Sequence, residues 1–166
     1  QRFVAAAQDR LEPNDQESTA TSVQTASSGN HTETYPLLKL AGSDTDTFAV
    51  RLDAGETVNA TLTHKETGGT IDLSITDPTG QVTPATDETV RIGSNTAGDY
   101  TLRAATTAST SGTHYVRVTG SEDVALKYNL TIVTNTTADP TPVFEAPIRR
   151  VEFDELDPDG WTNGDV

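Results

Sequence analysis

From residue 35 onward, apolar and polar residues alternate in short runs separated by turn residues. Alternation with a period of two places every second side chain on one face of a β-strand. Strands are predicted over 35–40, 46–52, 56–63, 70–76, 88–92, 98–104, 113–119 and 126–133. Phe48, Val50 and Leu52 share one face, as do Val58, Ala60 and Leu62, and Ile71, Leu73 and Ile75. Tyr115 and Val116, flanked by Val118, are assigned to the apolar side of their strand. Asp53-Ala54-Gly55, Asp77-Pro78-Thr79-Gly80 and Thr96-Ala97-Gly98 supply turn chemistry between strands. Helical periodicity is nearly absent. About eight short strands with one apolar face each predict an all-β, jelly-roll-like sandwich with N- and C-terminal arms.

The flanks differ in composition. Residues 1–11 form an arm, either a short helix or a strand; its Ala run favours helix but is too short to hold one alone. Residues 13–34 are rich in Ser, Thr, Asn, Gln and Asp and read as loop. The sandwich domain is placed at 12–134, a Pro-containing linker at 135–142, and an acidic C-terminal arm at 143–166. Within that arm, Val151 and Phe153 can share one face of an extra strand.

Charge narrows the habitat and the partners. The formal net charge is −14, and the lysines are only Lys39, Lys65 and Lys127. Such a surface repels phosphate backbones, which excludes nucleic acid. Dense carboxylates stay hydrated in strong salt, where screening removes their mutual repulsion. The expectation is a protein of a halophilic archaeon. There is no Cys, hence no disulfide and no thiolate metal site, and no apolar run long enough to span a bilayer as a helix. The chain also lacks Met, so it is not a primary translation product. It reads either as a mature protein freed of its leader or as a piece cut from a longer chain. Four Asn-x-Thr sequons, at Asn30, Asn59, Asn129 and Asn135, are glycosylation candidates in an exported protein.

Four short motifs occur in a fixed order: Glu12-Pro13-Asn14-Asp15, Asp44-Thr45-Asp46-Thr47-Phe48, Gly112 to Val118, and Tyr128 to Ile132. Together they resemble the bacterial and archaeal pre-peptidase C-terminal domain family, over about residues 12–133. His114 stands where that family usually has an aromatic residue. The resemblance implies a non-catalytic β-sandwich that accompanies secreted peptidases. It also implies, by similarity to collagen-binding domains, calcium held by Glu12, Asn14, Asp15, Asp44 and Asp46. Those domains place a further acid just before the EPND segment. Here that position is Arg10 or Leu11, and the nearest acid is Asp9. The residue types alone suit calcium, which takes six to eight oxygen ligands. The alternative is that Asn14 and Asp15 cap a turn and that Asp44 and Asp46 are solvated.

A second acidic loop, with Glu155, Asp157, Asp159 and Asn163, has the spacing of an EF-hand start but Val166 at the twelfth position. A plain acidic turn fits it better. His31, His64 and His114 lie in no nucleophile or zinc motif, so catalysis is not expected. The expected function is that of a non-catalytic extracellular or cell-surface accessory module. Its partners would be other extracellular domains, copies of itself, or glycans. The alternative is a structural subunit of a filament or surface layer, assembled by strand addition through the arms.

Overall fold

The computed structural model describes residues 9–41, 44–65, 70–88, 99–120 and 126–137. Residues 1–8 of the N-terminal arm, the acidic loop at 155–163 and the C-terminal arm lie outside the described residues. After a 3-10 turn at Glu17–Thr19, the strands are β1 (Thr21–Ser22), β2 (Gly29–Leu40), β3 (Thr45–Leu52), β4 (Thr57–Lys65) and β5 (Ile71–Thr76). Then follow β6 (Val82–Pro84), β7 (Thr86–Glu88), β8 (Asp99–Thr107), β9 (Gly112–Gly120) and β10 (Leu126–Thr136).

They form two five-stranded sheets, ordered β1-β3-β9-β5-β6 and β2-β10-β4-β8-β7. Most successive strands change sheet, which is jelly-roll-like connectivity and makes the fold an all-β sandwich. The cause is the alternation itself: each strand has one apolar face, and two facing sheets bury both sets. Phe48, Val50 and Leu52 from β3 meet Val58, Ala60 and Leu62 from β4 and Leu130 and Ile132 from β10 in one core. Tyr35 packs on Phe48, with ring centroids 4.9 Å apart and planes tilted by 49°.

Three expectations are corrected. Residues 13–34 are not all loop, because β1 and the first half of β2 lie there. This half of β2 carries polar residues on both faces, His31 and Glu33 on one and Thr32 and Thr34 on the other. It therefore has no hydrophobic alternation to read. Backbone pairing holds it instead, with Asn30 opposite Asn135 and Thr34 opposite Thr131. On β9 the inward residues are His114, Val116 and Val118, while Tyr115 lies on the outer face beside Arg117. Strict period-two geometry forbids Tyr115 and Val116 from sharing a face. Finally, β10 continues through Thr136, two residues into the segment read as linker.

A bulge interrupts the β2–β10 register between Tyr128 and Leu130. Leu37 sits there at φ 56° and is 75% exposed. Its N–H donates to the Asn129 side-chain carbonyl at 2.8 Å. The bulge restores inward placement for Leu38 and Leu40, both fully buried.

Candidate metal centre

The segment Asp9–Asp15 closes one end of the sandwich. Its attachments run to both sheets. The Thr47 N–H on β3 donates to the Asn14 carbonyl at 2.9 Å, and the Lys39 N–H on β2 donates to Asp9 Oδ2 at 3.2 Å. Arg10 Nη1 donates to the Pro36 carbonyl at 2.9 Å. The segment itself is turned by side-chain acceptors. Asp9 Oδ1 takes the Leu11 N–H at 2.7 Å, and Glu12 Oε2 takes the Asn14 N–H at 3.2 Å. The Glu12–Pro13 peptide is cis.

This path brings together the residues singled out from the sequence. Carboxylate oxygens of Glu12, Asp15 and Asp44 lie within 4.8 Å of one another, and so do those of Asp9, Glu12 and Asp46. Glu12 belongs to both groups. Two oxygens on one calcium ion, each 2.3–2.6 Å from it, stand at most about 5 Å apart. Each triad therefore fits the width of one coordination shell. Asp9, although three residues before Glu12 in sequence, takes part because the Leu11 turn folds it back. The sequence reading noted it only as the nearest acid.

Burial makes the arrangement more than a surface patch. Asn14 and Asp46 are fully buried. Among the described residues, neither polar atom of the Asn14 side chain has a hydrogen-bond partner, nor do Asp46 Oδ1 and Glu12 Oε1. Asn14 steadies the charged form of Asp46 by proximity, without a hydrogen bond of ordinary geometry. Buried polar groups are almost always paired, since an orphaned one costs about 1–3 kcal/mol. Four orphaned atoms at one point are thus three acceptors and an amide donor without a partner among the described residues. The reading of Asp46 as a solvated turn residue is corrected: it is the inward-facing start of β3.

The electrostatics agree. Burial pushes the Glu12 carboxyl up to about 7, helped by the nearby Asp44, Asp15 and Asp46 charges and opposed by the Asn14 N–H. Burial also pushes Asp46 up to about 7, with Asp9 and Asp44 adding to the rise while a hydrogen bond from Tyr128 opposes it. Asp44 is raised by burial and by the adjacent Asp15 carboxyl. Without a cation this cluster favours protons; a divalent cation would favour the ionised form of each group. The candidate ligand atoms are all oxygens, the Asn14 side chain offering its Oδ1, which suits a hard cation such as calcium.

The sequence reading missed Tyr128 as a site residue. Its hydroxyl donates to Asp46 Oδ2. The signal was available: a Tyr among the inward-facing Leu126, Leu130 and Ile132 needs a partner for its hydroxyl. Each histidine is held by a local contact. His114 is buried against the Gly112 carbonyl at 3.4 Å, His64 stacks on Tyr100 at 5.2 Å, and His31 lies 3.8 Å from Glu33.

No protein-family model and no curated protein sequence matches the chain. Among solved structures, it is similar to the periplasmic inhibitor PliG of g-type lysozyme from Aeromonas hydrophila, at 14% identity and TM-score 0.45, covering 70% of this chain and 96% of that one. The PliG of Salmonella Typhimurium gives 17% identity and TM-score 0.46, covering 70% and 97%. A Bacillus licheniformis lipase in its propeptide form gives 21% identity and TM-score 0.41, covering 69% of this chain and 23% of that one. At these identities the likeness carries nothing about function.

Proposed function

We propose that the chain is a non-catalytic, exported β-sandwich module whose N-terminal segment is stapled to the sandwich by calcium. The observation that carries this reading is the convergence of Asp9, Glu12, Asn14, Asp15, Asp44 and Asp46, with fully buried Asn14 and Asp46 leaving polar atoms unpartnered. Calcium would take up the unpartnered oxygens of Glu12, Asn14 and Asp46 and neutralise the carboxylates that burial otherwise protonates. The role is structural, since the cluster ties the segment before β1 to the β2–β3 connection. Resemblance to pre-peptidase C-terminal domains adds the context of an accessory domain beside a secreted enzyme.

Calorimetric titration of the chelator-treated protein with calcium at fixed high salt tests the site. Saturable binding that disappears in Asp46→Ala and Asp44→Ala supports it. A flat titration in the wild-type protein sinks it. The accessory role is tested separately, by whether the coding region surrounding this segment specifies a leader and a hydrolase domain.

A further inference from the structure

All four Asn-x-Thr sequons fall on one surface, the outer face of the sheet β2-β10-β4-β8-β7. Asn30 is on β2, Asn59 on β4, and Asn129 and Asn135 on β10, and every one is exposed. Residues i and i+2 of a strand share a face. Each of Thr32, Thr61 and Thr131 therefore stands on the same surface as the Asn of its sequon. The register sets Asn135 opposite Asn30 and places Val133 opposite Asn59, gathering three sequons at one end of the sheet. Asn129 lies six residues from Asn135 along β10, about 20 Å away.

Threonine abundance does not explain this. The outer face of the other sheet is also rich in Thr, with Thr45, Thr113, Thr119 and Thr76, yet none of the outward positions of β3, β9 and β5 is Asn. The outward charge on these strands is basic. The outward positions of β2, β10 and β4 hold no carboxylate in a chain with 25 acidic residues, and they carry all three lysines, Lys39, Lys65 and Lys127.

We propose that this face is glycan-bearing, with N-linked oligosaccharides on Asn30, Asn59 and Asn135 at one end and on Asn129 toward the other. In the transfer, Asn Nδ2 loses a proton and bonds to the anomeric carbon of a lipid-phosphate-linked sugar. The sugar's C1–O bond breaks and the lipid phosphate leaves. At Asn129 the side-chain oxygen is engaged by the Leu37 N–H at 2.8 Å, which turns Nδ2, the atom that is modified, toward solvent. That hydrogen bond persists after modification, because the sugar replaces an Nδ2 hydrogen only. Sugar hydroxyls then hydrate this face, and leave the acidic end of the sandwich and the opposite sheet open to partners.

The proposal shares with the proposed function only the premise of export. The test is intact mass and glycopeptide mapping of protein purified from its native host, with calcium binding measured on the same material so that failure of either reading is seen separately. The expected mass exceeds the 17.6 kDa polypeptide by whole sugar units, with sugar mapped to Asn59 and Asn129. Asn59→Gln and Asn129→Gln, made in that host, each remove one increment while leaving the melting temperature within a few degrees. A bare Asn at either position, or sugar that survives both substitutions at those peptides, overturns the proposal.

Discussion

The Tyr128 hydroxyl donates to Asp46 Oδ2 across the interior, joining β10 of one sheet to β3 of the other. Tyr128 is 2% exposed and Asp46 fully buried, so water does not compete for the contact. The other carboxylate oxygen, Asp46 Oδ1, is buried and has no hydrogen-bond partner among the described residues. Asp46 thus has one oxygen held by the core and one left for the candidate metal. Burial and the Asp46 charge push the Tyr128 hydroxyl well above the usual phenol range, so it stays a donor at every physiological pH.

Tyr128→Phe removes that donor while keeping the ring. The expected loss is about 1–3 kcal/mol of stability, the cost of leaving a buried acceptor unpaired. Asp46→Asn in the Tyr128→Phe background should add less than it does alone, since the two changes break one contact. Additive losses in a urea-denaturation double-mutant cycle would show that the pair is not coupled.

Asn14→Ala separates a metal ligand from a core residue. In chelator the substitution removes a buried amide with no hydrogen-bond partner, so the expected change is within about 1 kcal/mol. With calcium present it removes a ligand, and the calcium-dependent gain in melting temperature should shrink by at least half. An equal loss with and without calcium would assign Asn14 to packing alone.

Much of the sandwich was legible because its central strands, β3, β4, β5 and β10, bury one face and solvate the other. Phe48, Val50 and Leu52 announce that geometry without help. The first half of β2 and the short strands β1, β6 and β7 were not legible. They are held by backbone pairing at sheet edges, and such pairing leaves little trace in side-chain type. At the site, Glu12, Asn14, Asp15, Asp44 and Asp46 were named from motif resemblance, and the fold does bring them together. Asp9 was passed over because its place depends on a turn formed by its own carboxylate and the Leu11 N–H. Tyr128 was passed over because its partner lies 82 residues away. The acidic loop around Asp157 and Asp159 falls outside the described residues.

Gly112 offers a test of the sandwich apart from the site. It begins β9 at φ +155°, and a Cβ there would lie 2.7 Å from Pro78 Cγ. The proline ring cannot rotate aside, and the backbone angle is one that side chains rarely adopt. Gly112→Ala should destabilise the protein by about 1–3 kcal/mol, with calcium binding intact. Gly55→Ala, which has positive φ but open space for a Cβ, should cost less. Equal melting temperatures for the two variants would contradict the steric account.

The cluster also fixes how stability should depend on pH. Glu12 and Asp46 each titrate near 7 in the folded protein, and near 4 once unfolded. Groups raised in this way stabilise the fold when protonated. Their contribution is complete below about pH 4 and is lost as pH rises through 7. In chelator, therefore, these groups make stability fall between about pH 4 and 7 and level off above. Calcium reverses the sign, because ligand carboxylates must shed protons to bind it, so affinity climbs through the same window. At calcium 100-fold above its Kd the gain is about 2.7 kcal/mol, or roughly 5–10 °C in melting temperature. That gain should be large at pH 8 and small at pH 5. All scans need the same high concentration of potassium chloride, since screening alone stabilises so acidic a chain. Calcium and chelator curves that coincide at pH 8, or a calcium effect of equal size at pH 5 and pH 8, would remove calcium from this centre.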